Sequence, residues 1–300
     1  MTGLGTLIKR NTKLYFKDKG MFFTSLITPA ILLVLYSTFL ANIYESSFRS
    51  FWEAAGVKVS DKLLKGCVGG ELISSLLAVS CVTVAFCSNL LMVQDKVNGA
   101  KKDLTIAPIK PGTLALSYYA STLISTLIIN LAAIVMCLLY LAKVGWFLTV
   151  GDVTLLAADV ILLALFGTAL SSCIIFPLTT QGQASAIGTV ISAGYGFICG
   201  AYMPVSSFSS GLQKVISFLP GTYGTGLLRN HALHGVFKEM ESLGFPLKMI
   251  DSIRDSVDCN LYFFGNKVSL SAMYIVLIAT IAAAVLLYVA INMLLAKKHK

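Results

Sequence analysis

Apolar residues fall in long runs broken by short polar stretches. Six of those runs reach the roughly 20 residues that a helix needs to cross a hydrocarbon core of about 30 Å. They cover 21–43, 69–92, 114–141, 153–176, 184–203 and 268–295. The pattern predicts an all-α polytopic membrane protein, a single transmembrane domain over residues 1–300 with six spans. The third run is long enough to tilt or to protrude into water. The first is too long for the apolar stretch of a signal peptide and follows a polar leader of residues 1–20, so it reads as a retained span.

Between the spans the periodicity changes. Over residues 1–20, Leu4, Leu7, Ile8, Leu14 and Tyr15 share one helical stripe, while Lys9, Lys13 and Lys17 share another. That is an amphipathic helix lying in the headgroup plane, either an anchor on anionic lipid or a connection that also touches a cytoplasmic partner. Beyond the first span, Tyr44, Phe48, Phe51, Trp52 and Ala55 recur at helical spacing. They read as an aromatic helix at the outer interface, either an anchor or a contact surface for an amphiphile. In the segment 95–111, Asn98-Gly99 breaks one helix, and Pro108 and Pro111 forbid the continuation of another. A short basic helix carrying Lys101 and Lys102 sits between them. A solvated loop accounts for those charges but not for that framing.

The stretch 204–230 is also patterned. Leu212, Val215, Ile216 and Leu219 form an apolar face that stops at Pro220-Gly221, and a second short helix over 223–228 runs into Arg229. Two half-helices about a Pro-Gly turn predict a re-entrant hairpin in the outer leaflet, where backbone must be covered by protein or line a water-filled cavity. In the extracellular segment 231–267, Phe237, Met240, Leu243, Leu247, Ile250, Ile253 and Val257 keep helical spacing across Pro246, which suggests a further surface helix.

Composition confirms the solvent: 56% of residues are hydrophobic and 12% charged, against about 25% charged in soluble chains. Disorder, a disulfide scaffold and an ordinary soluble enzyme are excluded. Charge adds orientation. Twelve of the 23 Lys and Arg residues lie in the amino-terminal tail, the 95–111 connection and the carboxyl tail. Both termini are therefore expected on the cytoplasmic side of a plasma membrane. With Asp18, Asp95 and Asp103 that side carries the whole net charge of +9. The charge is an orientation signal and gives no reason to invoke nucleic acid.

Two carboxylates fall inside predicted spans, Glu71 and Asp159. A buried charge costs on the order of 3 kcal/mol on insertion scales, so both are candidates for a translocation path. Glu71 is placed at the outer start of its helix, where the dipole and water favour it; Asp159 lies about 9 Å into its span, with a path or an interhelical role. Ala184, Gly188, Ser192, Gly196 and Gly200 repeat every fourth residue, a stripe for close helix packing. Its partner is either another span or a second copy. Of the seven cysteines, Cys67 and Cys259 are both expected outside, so a disulfide between them is open. His231-x-x-His234 could touch a metal, but no acidic residue has the spacing of a zinc motif, so no metal site, cofactor site or catalytic residue is assigned. No predicted span holds a histidine to activate a serine, and no half-to-half similarity suggests an ion-coupled carrier. There is no Gly-x-x-x-x-Gly-Lys-Ser/Thr, so ATP would have to be bound by another polypeptide.

The six spans and the basic amphipathic start combine with the Lys-rich turn ending in Ala107-Pro108-Ile109, with Gly200-Ala201-Tyr202-Met203-Pro204 and with Phe218-Leu219-Pro220-Gly221-Thr222-Tyr223…Leu228-Arg229…Gly235. Together they resemble the permease subunits of type-2 ATP-binding-cassette exporters, over essentially the whole chain. The resemblance implies a permease homodimer with two separate ATPase subunits that hold ATP and Mg. It implies that Asn98, Gly99, Lys101, Lys102 and Pro108 belong to a coupling helix, and that Pro220, Tyr223 and Arg229 belong to an outer gate. The segment after Arg229 is longer than the simplest members need. The few internal charges and the aromatic helix suit an amphiphilic small molecule as substrate; a cell-wall polymer is the alternative.

Overall fold

The computed structural model describes residues 3–54, 59–107 and 109–298. In chain order its helices are α1 (Leu4–Lys17), α2 (Lys19–Leu35), α3 (Ala41–Ala54), α4 (Asp61–Val97), α5 (Ala100–Ile106), α6 (Pro111–Val144), α7 (Val150–Ile175), α8 (Gln181–Ile198), α9 (Ser210–Ile216), α10 (Pro220–Ser242), α11 (Leu247–Ser256) and α12 (Leu270–Lys298). A small antiparallel hairpin, β1 (Tyr262–Phe263) with β2 (Asn266–Lys267), stands between α11 and α12. Among the described residues, five helical stretches are long and apolar enough to cross a membrane: Lys19–Ser50, Asp61–Val97, Pro111–Val144, Val150–Ile175 and Leu270–Leu294. The chain is an all-α polytopic membrane protein.

The bundle is organised around α4. This helix has 37 residues, about 55 Å at 1.5 Å per residue, and α2, α6, α7, α8 and α10 pack around it. Its neighbours come close where side chains are absent. A Cβ on Gly70 would stand 2.5 Å from Leu233 Cδ2 of α10, and one on Gly167 of α7 would stand 2.8 Å from the Cys81 carbonyl of α4. Close backbone approach of this kind is the usual device of helix packing in lipid. The outward faces are apolar: Ile27, Ile31 and Phe39 on the first span, Leu131, Val135 and Leu139 on α6, and Ile275 and Leu286 on α12 are all exposed, a belt that only hydrocarbon would solvate.

Several elements differ from the sequence reading. The second span starts at Asp61, not at 69, because Ser60 caps the helix by accepting from Leu63 N at 3.3 Å. The first span does not end at 43. It passes through a π-helical turn, Tyr36–Leu40, directly into α3. Phe48 and Trp52 of α3 are buried, their rings stacked on each other at 5.8 Å, and α3 packs on α4, so these aromatics cover protein instead of lying open at an interface. The fifth stretch is helical for 18 residues, about 27 Å; it stops at Ile198, and Gly200 turns the chain with φ 76°. The second half of the expected hairpin is not short: α10 continues for 23 residues to Ser242 and carries Phe237 and Met240 into the core. Helical periodicity does not bridge Pro246, which instead starts α11. Ala55, Pro108, His299 and Lys300 lie outside the described residues.

Candidate coupling region and buried charge cluster

The basic end of the bundle is built by a tight reversal. Asn98 caps α4, Gly99 turns the chain with φ 81°, a conformation glycine adopts at little cost, and α5 begins at Ala100. Lys110 and then Pro111 in the first turn start α6, the position where a missing N–H costs nothing. The short framed helix is thus Ala100–Ile106. One side of it is fastened inward. The Lys101 ammonium lies 5.1 Å from the Phe176 ring centroid at the end of α7, and burial lowers its pKa. Lys96 covers the same ring at 5.2 Å and donates to the carbonyls of Phe176 and Leu178. The other side is open: Lys102, Asp103 and Thr105 are exposed, and Ile106 is 83% exposed.

A second tie joins this end to α1. Arg10 holds Asp95 of α4 with two hydrogen bonds, Nη1 to Oδ2 at 2.6 Å and Nη2 to Oδ1 at 3.1 Å. The Tyr118 hydroxyl of α6 donates to the same carboxylate at 2.6 Å. The Asp95 side chain holds the Arg10 guanidinium above its ordinary pKa. Leu7, Asn11 and Tyr15 of α1 are buried, and Lys9, Lys13 and Lys17 are exposed. The expected stripe is present, with its apolar side on protein, chiefly α6.

Along α4, about 36 Å from Asp95, lies a cluster that gathers residues from three separate parts of the sequence reading. Arg229, in the middle of α10, is fully buried. Its Nη1 donates to Asp258 Oδ2 at 3.1 Å, and its Nη2 donates to the Gly200 carbonyl at 2.6 Å and to Ser75 Oγ at 3.2 Å. Nη2 also stands 2.6 Å from Glu71 Oε1. That contact is a close ion pair, since neither Glu71 oxygen receives a well-directed hydrogen bond. Asp258 Oδ2 additionally accepts from Val205 N at 2.7 Å. The backbone of Asp258 has φ 52°, and burial pushes its carboxyl above the ordinary value against the pull of Arg229. One guanidinium therefore joins α4, α10, the end of α8 and the 258 turn. Glu71 is corrected by this: it lies ten residues into α4, inaccessible to water, not at a helix start.

Asp159 lies between three helices. Its Oδ2 is 2.5 Å from His231 Nδ1 of α10, and its Oδ1 accepts from the Tyr274 hydroxyl of α12 at 2.6 Å. One heptad earlier on α7, Asp152 closes a capping box with Thr149 and stands 2.6 Å from His234 Nδ1. The two histidines are taken up by aspartates on a neighbouring helix, and among the described residues no group of three His, Cys, Asp or Glu could hold a metal.

Of the remaining candidates, Pro220 opens α10, and the Tyr223 hydroxyl donates to the Ser217 carbonyl at 2.5 Å, closing the turn after α9. The small-residue stripe does not act as one surface. Gly196 lies under the Tyr202 ring and Gly200 beside Arg229, whereas a Cβ on Gly188 would meet nothing within 4 Å; Ser192 is half-buried. Cys67 and Cys259 are buried free thiols, so the disulfide left open is not formed. Asn11, Asp258, Ile106 and Tyr118 had no signal in spacing alone.

Helices of membrane length surround a basic reversal at one end and a buried ion cluster at the other. No curated protein matches the chain. A family model, ABC-2 type transporter, matches residues 2–232, which takes in α1, the basic reversal, both halves of the Arg229–Glu71 pair and the turn into α10. The chain belongs to the ABC-2 type transporter family and is the membrane-spanning, non-catalytic subunit of an ABC transporter.

Proposed function

We propose that this subunit is the permease of an exporter driven by separate ATPase subunits, and that it moves an amphiphilic small molecule outward as a homodimer. ATP and Mg are held by the partner. The observation that carries the reading is the two-sidedness of α5: Lys102, Thr105 and Ile106 face out, and Lys101 is fastened to the end of α7. A push on that outer face passes to α1 and α6 through the Arg10–Asp95–Tyr118 contacts and along α4, which is almost wholly buried and behaves as a rod. The far end of the rod meets Arg229, Asp258 and the 200–205 turn, so a small rotation at α5 is felt where the path would open.

Orientation is supported by the packing of Leu7, Met92, Leu114, Phe176 and Tyr288 into one cluster, which gathers α1, the basic reversal and the lysine-rich end of α12 at one side of the membrane, the cytoplasmic side by the charge rule. A second copy is supported by α8. Its outward face carries exposed Ser185 and Thr189 beside glycines 182, 188 and 194 with open space around them, a poor surface for lipid and a good one for a partner helix or a wet path. The test is reconstitution of the permease with its co-purifying ATPase in proteoliposomes. Export requires an amphiphilic dye to move across the membrane with ATP and not with a non-hydrolysable analogue. Equal movement under both conditions would defeat the reading.

A further inference from the structure

At the end of the bundle remote from α5, a cavity of about 230 Å³ opens between the Val205–Ser207 turn, α9, the start of α10 and the chain from 255 to 262. Its hydrogen-bonding capacity is lopsided. Most side-chain donors in the wall are spent inside the protein, the exposed Ser206 hydroxyl aside: Gln213 Nε2 donates to the Ser206 and Phe208 carbonyls at 3.1 and 2.8 Å, and the Tyr223 hydroxyl donates to Ser217 O. Tyr262 Oη and Asn260 Nδ2 both donate to Asp255 Oδ1, at 2.9 and 2.7 Å. Acceptors are left over. Asp255 Oδ2 and Asn260 Oδ1 receive no hydrogen bond among the described residues, although Asn260 is 93% buried (7% exposed). The Asn260 amide cannot be turned round to relieve this, because its nitrogen is needed by Asp255. Asp258, the other carboxylate in the wall, is matched by Arg229; Asp255 has no ion-pair partner among the described residues.

Beside the cavity stands an exposed aromatic shelf. Phe218 follows the lining residue Ser217, Phe263 follows Tyr262, and Phe264 completes the group, with ring centroids 4.9–5.8 Å apart and edge-on. Phe264 holds φ 49° at the tip of the β1–β2 hairpin, an uncommon conformation for a bulky residue. The Lys214 ammonium already occupies one face of Phe264, 5.9 Å from its centroid, which leaves Phe218 and Phe263 as the free apolar surface. A neutral polyol could donate to these acceptors but would leave the Asp255 charge without a counter-ion, and an anion would meet Asp255.

We infer that this cavity binds an amphiphilic organic cation, its ammonium group on Asp255 Oδ2 and Asn260 Oδ1 and its apolar body on Phe218 and Phe263. The inference rests on the export reading for its biological meaning, and names the substrate class that reading leaves open. A charged hydrogen bond and a ring face supply the affinity.

The test uses the purified permease in phosphatidylglycerol nanodiscs without nucleotide, with the cationic dye rhodamine 6G followed by fluorescence polarisation against empty nanodiscs. Saturable binding displaced by dodecyltrimethylammonium and not by dodecyl maltoside is expected. D255N keeps the acceptor used by Tyr262 and Asn260, and weakens binding about tenfold or more, the weight of one charge-assisted hydrogen bond. F263A weakens it less and leaves the maltoside result unchanged. Adding phosphatidylethanolamine separates a free cation from a lipid headgroup: competition by that lipid assigns the ammonium site to the headgroup, and no competition assigns it to a soluble cation. Absence of saturable binding, unchanged affinity in D255N, or equal displacement by the maltoside overturns the proposal. Export by the proteoliposomes with unchanged D255N binding removes this site and keeps the exporter; D255N-sensitive binding without ATP-driven movement does the reverse.

Discussion

Replacing Arg229 with Met is the sharpest perturbation the buried cluster offers. The side chain is fully buried, with Glu71 at 2.6 Å and Asp258 at 3.1 Å. At an effective dielectric near 20, each pair is worth about 5–6 kcal/mol of Coulomb attraction. Desolvation offsets most of that, so the pairs add little net stability while intact. Removing only the cation is different: it strands two buried carboxylates, which costs about 3–5 kcal/mol, and it takes a donor from the Gly200 carbonyl. At 1.36 kcal/mol per decade, that is a hundredfold to several thousandfold in the folded population. The assay is the temperature at which half of the detergent-solubilised permease is lost from the monodisperse peak on size exclusion. R229M should fall well below wild type. In R229M/E71Q/D258N no charge is stranded, so most of the loss should be recovered. The exposed control K248M should stay within about 0.5 kcal/mol of wild type. An R229M protein as heat-resistant as wild type, or a triple variant no better than R229M, would refute the reasoning.

Three further outcomes follow from other contacts. F176L removes the ring face beneath Lys96 and Lys101 while keeping apolar volume against Tyr288; interactions of about 0.5–2 kcal/mol each are lost, α5 loosens, and cleavage by trypsin at Lys101 and Lys102 should quicken, with a fall in melting temperature well short of that in F176A, whose emptied core volume costs about 3–5 kcal/mol. D159N leaves His231 and Tyr274 with a neutral partner and should lower thermal stability by about 1.5–3 kcal/mol, the value of a charged hydrogen bond; transport and protein level both unchanged would remove any role for this aspartate. R10Q releases α1 from Asp95 and Tyr118, and amide exchange over Leu4–Lys17 should rise in that variant but not in K9Q, whose side chain is exposed.

Much of the fold was legible because apolar length is the dominant signal in a lipid solvent. Gly99 marked the start of α5 and Pro111 the start of α6, for reasons that are local: a left-handed turn and a helix start. What spacing could not supply is partnership. Glu71, Gly200 and Arg229 each stood out alone, as path, packing and gate residues, yet Glu71 and Arg229 meet across 158 positions of sequence. Boundaries slipped where a polar end remained helical: the stretch from Asp61 to 68 carries two lysines, so hydropathy ended the span while Ser60 capped the helix eight residues earlier. The run through α10 was cut at Arg229 because a charge at that depth looks like an exit from the membrane; it is a tether whose partners lie on other elements. Periodicity crossed Pro246 because Phe237 and Ile250 both face the core, on two helices instead of one. Orientation within lipid is equally invisible to spacing, since apolar residues serve a protein neighbour and an acyl chain alike, as Phe48 and Trp52 illustrate.

The central claim is that a separate ATPase drives this subunit through the outer face of α5. Its most direct measurement is retention of that ATPase by tagged permease purified in mild detergent, wild type against I106D. Ile106 is almost wholly exposed, so the substitution leaves the permease's own elution profile and melting temperature unchanged. The account predicts near-equimolar ATPase with the wild type and loss of most of it with I106D; undiminished retention by I106D, or a wild-type permease that brings down no ATPase, would contradict it.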